Sequence, residues 1–321
     1  MEREKMTATF SSPKQYNVRS VSFPSRSHPN TNKIEEELNK LTSLDLSSSS
    51  IPAPETIFAA LSGLTNLYKH VSDLFNLPAN QQALAHHPQH KTLMVSELLD
   101  GSVTFLDICG KTRDILLLIK QSARELQSAL RRKKGGDWSI DCYIGAYVSS
   151  RKKTKKEITK SLASLKQMEN ITPLILDLND HLSAIVKVVR EASLVTRSIF
   201  RSLLLFLSVP ASKPKSATRW SLILKLVSKR VGAGNETHQP EVVIKKNELE
   251  SVGVEIRKLL MAKDVSEEDD DDDDEAEKIR STLLTRLEGV DIMIEDFEKR
   301  VEWLFRRTIE ARVSLLNSLS T

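Results

Sequence analysis

Ten residues near the end of the chain, Leu283, Leu287, Val290, Ile294, Phe297, Val301, Leu304, Thr308, Ala311 and Leu315, recur at alternating steps of four and three. Only an α-helix gathers such positions onto one side, and a stripe that narrow must be covered by other helices. Two arrangements cover it. One is packing inside a bundle; the other is coiled-coil self-association through Leu283, Leu287, Val290, Ile294, Phe297, Val301 and Leu304. The bundle is the preferred reading.

The rest of the 321 residues points the same way. With 10 Gly, 11 Pro and 5% aromatic residues, the chain is poor in what tight turns and β-sandwich cores require. The expected fold is all-α: an elongated helical bundle of long antiparallel helices with a coiled-coil-like C-terminal helix. Helical spacing recurs in Lys33–Leu44, Glu55–Phe75, Thr92–Arg132, Ser139–Asn170 and Leu174–Val209, and more weakly in Glu241–Lys263. In the third of these, Val95, Leu99, Val103, Leu106, Cys109, Leu116, Ile119, Ala123, Leu126 and Leu130 form the expected apolar stripe, with a polar interruption at Gly110–Arg113.

Breaks separate these segments. Ser47–Pro54 reads as a hinge, Gly135-Gly136 as a helix stop, and Pro173, Pro210 and Pro214 as boundaries. Nine consecutive acids, Glu267–Glu275, repel one another and read as an exposed linker. The expected organisation is a disordered, basic Ser/Pro-rich tail at 1–32, a helical bundle at 33–263, an acidic disordered linker at 264–278, and the heptad helix docked on the bundle at 279–321.

The net charge of +4 hides an asymmetry, because the acidic run offsets a basic body. Basic stretches at Arg131–Lys134, Arg151–Lys156 and Arg219–Arg230 offer phosphate contacts, but none matches a nucleic-acid reader, and solvated helix faces explain them equally well. Trp220 with Leu222, Ile223, Leu226 and Val227, set against Lys225, Lys229 and Arg230, forms a basic amphipathic segment. It suits either an anionic membrane surface or a partner face.

Sites that resemble chemistry do not hold together. Gly110-Lys111-Thr112 ends like a phosphate-binding loop, yet Phe105 stands where the leading glycine belongs, and the setting is helical. His86, His87 and His90 are broken by Pro88 and have no Cys or acidic ligand nearby. Cys109 and Cys142 have no metal or disulfide spacing, and Asp291 with Glu295 reads as a solvent-facing helical pair. No catalytic residue, cofactor or metal site is expected. Ser20, Ser22 and Ser27 follow or lie close to arginines in the tail, where phosphorylation would add charge without disturbing a core.

The tail has the composition of an organelle transit peptide, but Glu2 and Glu4 and the absence of an amphipathic pattern favour a cytoplasmic tail, with plastid targeting the lesser reading. No apolar run approaches the roughly 20 residues a membrane-spanning helix needs.

Five separated strings carry a resemblance: Arg19–Pro29, Leu99–Asp114, Glu125–Arg132, Ser164–Glu169 and Phe305–Asn317. They resemble the plant BYPASS-like family, from about Arg19 to Ser320. That resemblance implies a protein similar to those connected with root and shoot development, and it brings no catalytic residues with it. The long acidic run and the segment around Trp220 look less typical of the family. The functional expectation is a non-enzymatic helical protein acting through protein contacts, with peripheral binding to anionic lipid as the alternative. An enzyme of small mobile signal metabolism is a third reading without residue support.

Overall fold

The computed structural model describes residues 29–44, 46, 52–85, 88–132, 138–168, 180–209, 247–265 and 273–320. Eight helices occupy them: α1 Pro29–Ser43, α2 Pro54–Phe75, α3 Pro78–Ala85, α4 Pro88–Arg131, α5 Trp138–Gln167, α6 Asp180–Leu207, α7 Glu248–Val265 and α8 Asp273–Ser320. No strand occurs among the described residues, and the fold is all-α.

Four of these helices begin at a proline: Pro29, Pro54, Pro78 and Pro88. Proline suits the first helical position, where its missing N–H removes no intrahelical bond and its fixed φ is already helical. Pro88, which reads in the sequence as an interruption, is therefore a start. The short α3 lies in a segment without strong periodicity, and it follows α2 after only Asn76 and Leu77. The Asn80 side chain, buried, donates to the Leu74 carbonyl at 2.6 Å and ties the two helices together.

α8 is the centre of the arrangement. All ten stripe residues are buried, from Leu283 to Leu315, against one core that also takes side chains from every helix from α1 to α7 except α3. Phe297 packs its ring 4.5 Å from Phe58 of α2 and 5.6 Å from Phe206 of α6. The seven residues that would drive self-association are committed to this packing, so pairing through them would require α8 to leave the bundle.

Direction is legible from the cross-helix contacts. Along α4 and α8 the pairs Leu99–Arg312, Arg113–Glu302, Lys120–Glu298, Arg124–Asp291 and Arg131–Glu288 descend in one helix as they rise in the other, so the two run antiparallel. Along α2 and α8 the contacts Phe58–Phe297, Ser72–Ser314 and Phe75–Ser318 rise together, so these two run parallel. The expectation of antiparallel long helices thus holds for the first pair and is corrected for the second.

Two further expectations shift. α4 continues through Gly110–Arg113, and Val103 stands 50% exposed, while Phe105 and Ile108 are buried in its place. α8 begins at Asp273, inside the acidic run and before the expected boundary at 279. Acids in a first helical turn face the positive end of the helix dipole, which favours this start.

Candidate functional site

Several helix ends in this bundle are completed by side chains from elsewhere in the chain. The last carbonyls of a helix have no partner within it and carry the negative end of the dipole, so cations and donors are favoured there. Arg280 donates to the Leu130 carbonyl at the end of α4 at 3.0 Å. Arg197 donates to Met168 just past α5 at 2.5 Å. At the end of α6, Arg151 donates to Leu207 at 2.9 Å and to Val209 at 3.0 Å, and Asn247 donates to Phe206 at 3.0 Å. The Ser318 hydroxyl completes α2 at Phe75, at 2.7 Å.

This changes the reading of the basic stretches. Arg151, first in the run expected to meet phosphate, is buried, and desolvation pulls its guanidinium pKa down. Lys152, Lys153, Lys155 and Lys156 remain on the surface. Arg131 pairs with Glu288 at 2.7 Å, and Arg132 lies 5.6 Å over the Tyr143 ring. Asp291 is not a solvent-facing member of a helical pair. It takes Arg124 in a two-pronged bond at 2.7 and 3.0 Å, which raises the arginine pKa.

The other expected sites separate cleanly. Lys111 pairs with Asp107 at 2.6 Å, and Thr112, fully buried, donates to the Ile108 carbonyl at 2.8 Å. This is ordinary helix, with no loop to cradle phosphate. Cys109 is buried and its thiol pKa is pushed up by desolvation, whereas Cys142 is exposed. Among the described residues no three His, Cys, Asp or Glu side chains come together to hold a metal. Ser20, Ser22, Ser27, Trp220, Lys225, Lys229, Arg230, His86 and His87 lie outside the described residues, as does the acidic run before Asp273.

A feature that periodicity does not reveal is a cavity of about 300 Å³ bordered by α2, α4, α6, α8 and Met168. α6 packs on α2 and α5 beside it. Its walls are apolar: Val71, Phe75, Phe105, Val189 and Leu315 are among them. Phe105 stacks on Tyr68 at 5.8 Å and meets Phe200 edge-on at 5.0 Å, which sets the floor. The Tyr68 hydroxyl and Thr196 share a hydrogen bond of 3.3 Å, and burial pushes the phenol pKa up to about 12. Arg197 and Arg312 line the same space.

All of the cavity lining, and the whole of α8 up to Asn317, falls within residues 60–317, which match the family model described as Protein BPS1. The chain belongs to this family. The match spans four of the five strings that resemble the BYPASS-like proteins and leaves α1 and the first turns of α2 outside it. No curated protein and no solved structure matches the chain significantly. Among the described residues no helix is long and apolar enough to cross a membrane.

Proposed function

We propose that this BPS1-family chain is a non-enzymatic helical protein that acts in root and shoot development through protein–protein contacts. The outer surface of α8 carries the reading. Ile292, Trp303 and Val313 are 67%, 58% and 47% exposed, and Ile309 and Leu316 are also open, on a helix whose inner stripe is already spent on the core. From Trp303 to Leu316 the exposed apolar residues fall within an arc of about 140° at 100° per residue. Grouped apolar side chains in solvent mark interaction surfaces, and tryptophan is enriched where such contacts are strongest. The developmental role rests on the family.

Trp303→Glu combined with Val313→Glu leaves the inner stripe intact. The pair is expected to preserve the helical circular dichroism, to lose neighbours in proximity labelling from root tissue, and to fail to rescue a loss-of-function plant. Full rescue by this variant, together with a purified wild-type chain that stays monomeric and captures nothing from plant extract, overturns the reading.

A second reading, peripheral association with anionic lipid, rests on the basic amphipathic sequence around Trp220. Co-sedimentation with phosphatidylserine liposomes separates the two. Under the membrane reading the wild type sediments and Lys225→Glu, Lys229→Glu, Arg230→Glu together abolishes it.

A further inference from the structure

We infer that the cavity between α2, α4, α6 and α8 is a binding site for a small amphipathic organic acid, with its apolar body on the Phe105 side and its anionic headgroup on Arg197 and Arg312. At about 300 Å³ it lies at the lower end of the range of small-molecule pockets. Its walls suit an apolar body. The serine and threonine hydroxyls around it donate back to their own helices, Ser193 to Val189 at 2.9 Å, Thr196 to Ala192 at 2.6 Å and Thr308 to Leu304 at 2.9 Å, and the Tyr68 hydroxyl is taken up by Thr196. They offer little to a neutral polar ligand.

The two arginines are different. Arg197 commits one nitrogen, Nη1, to the Met168 carbonyl, and Arg312 commits Nη1 to the Leu99 carbonyl and the Ser102 hydroxyl. These bonds hold each guanidinium in place while Nε and Nη2 keep no protein partner among the described residues. Arg190 lines the cavity as well, and no Asp or Glu does so among the described residues, so the described lining is basic. A guanidinium offers a planar fork that matches a carboxylate or a phosphate, and two held in place beforehand lose little freedom on binding. The site therefore selects a negative headgroup attached to an apolar body.

Gly101 provides the decisive variant. It lines the cavity, and a Cβ added there meets no atom within 4 Å. Gly101→Leu therefore occupies space without clashing at its root, and replacing a glycine inside a helix favours folding.

The test is calorimetric titration of the full chain with octanoate, octyl phosphate and 1-octanol below their micellar concentrations. Saturable one-to-one binding of octanoate or octyl phosphate is expected, with octanol at least tenfold weaker; whichever acid binds tighter identifies the headgroup. Arg197→Gln and Arg312→Gln each weaken binding at least tenfold, and Gly101→Leu removes it while the thermal midpoint is kept or raised. The inference is overturned if neither acid binds saturably, if octanol binds as well as the acids, or if folded Gly101→Leu binds like wild type. Should an arginine variant fail to fold, the octanol comparison and Gly101→Leu still decide.

Discussion

Arg151 illustrates what a charged residue does when it is buried in this bundle. Its Nη2 donates to two carbonyls at the end of α6, while Nε and Nη1 find no protein partner among the described residues. Truncation leaves those carbonyls without their charged donor in a dry setting, which costs on the order of 2–4 kcal/mol. Arg151→Ala is therefore expected to lower the denaturation midpoint well beyond Lys152→Ala, its exposed neighbour, in parallel urea titrations. Equal effects would show that the cap contributes nothing. The two phenols of the core supply a second test. Burial raises the pKa of Tyr68 to about 12 and that of Tyr147 above its ordinary 10. The folded state holds both neutral, so their contribution is intact below pH 10 and is lost as the pH rises through the folded values. An alkaline absorbance titration should show a delayed component that disappears in the Tyr68→Phe, Tyr147→Phe double variant.

At the scale of the element, the α4–α8 seam has register as well as attraction. The α4 partners Arg113, Lys120, Arg124 and Arg131 are spaced seven, four and seven residues apart, so they stay along one edge of the helix. A slip by one turn would set several of these cations against the wrong neighbours. Lys120–Glu298 is the most sheltered of the four, at 2.6 Å with 15% and 25% of the side chains exposed. A double-mutant cycle with Lys120→Ala and Glu298→Ala should return a coupling of about 1 kcal/mol, and the charge-swapped pair should recover most of it. Additive single effects would remove the seam from the account of register. On the other side of α8 the link is apolar, through Phe58, Phe206 and Phe297, and Arg300 lies 4.5 Å over the Phe58 ring.

Across the whole molecule, the core reaches beyond the residues that the family model matches. Ile34, Leu38 and Leu41 of α1 are buried in the same cluster as α8, and Leu41 lies so close to Gly63 that a Cβ there would sit 2.7 Å from its Cδ2. Deleting residues 1–46 should thus lower the thermal midpoint and uncover the α2 surface around Gly63, read as new dye binding, although the deletion ends before the matched region begins. A truncated chain as stable as the full one would show that α1 is an accessory.

The heptad stripe of α8, the helical character of its partners and the failure of Gly110-Lys111-Thr112 to make a phosphate loop were all legible in residue order, because each depends on neighbours within a few turns. The burial of Phe105 in place of Val103 was not, since a stripe shows that a face exists and its partner decides how that face is turned. The arginine caps were equally hidden: Arg151 and Leu207 are 56 residues apart, Arg280 and Leu130 are 150. Nor does residue order show the cavity, whose lining runs from Tyr68 to Leu315 and is contributed by four helices far apart in the chain. What the sequence determined by itself is therefore the periodic part of the protein, its helices and the apolar stripe of α8, since periodicity is a local property of the backbone. Tertiary structure alone decided which helices run together, which charges are buried and where a space remains, because those depend on groups that meet only after the chain has closed on itself.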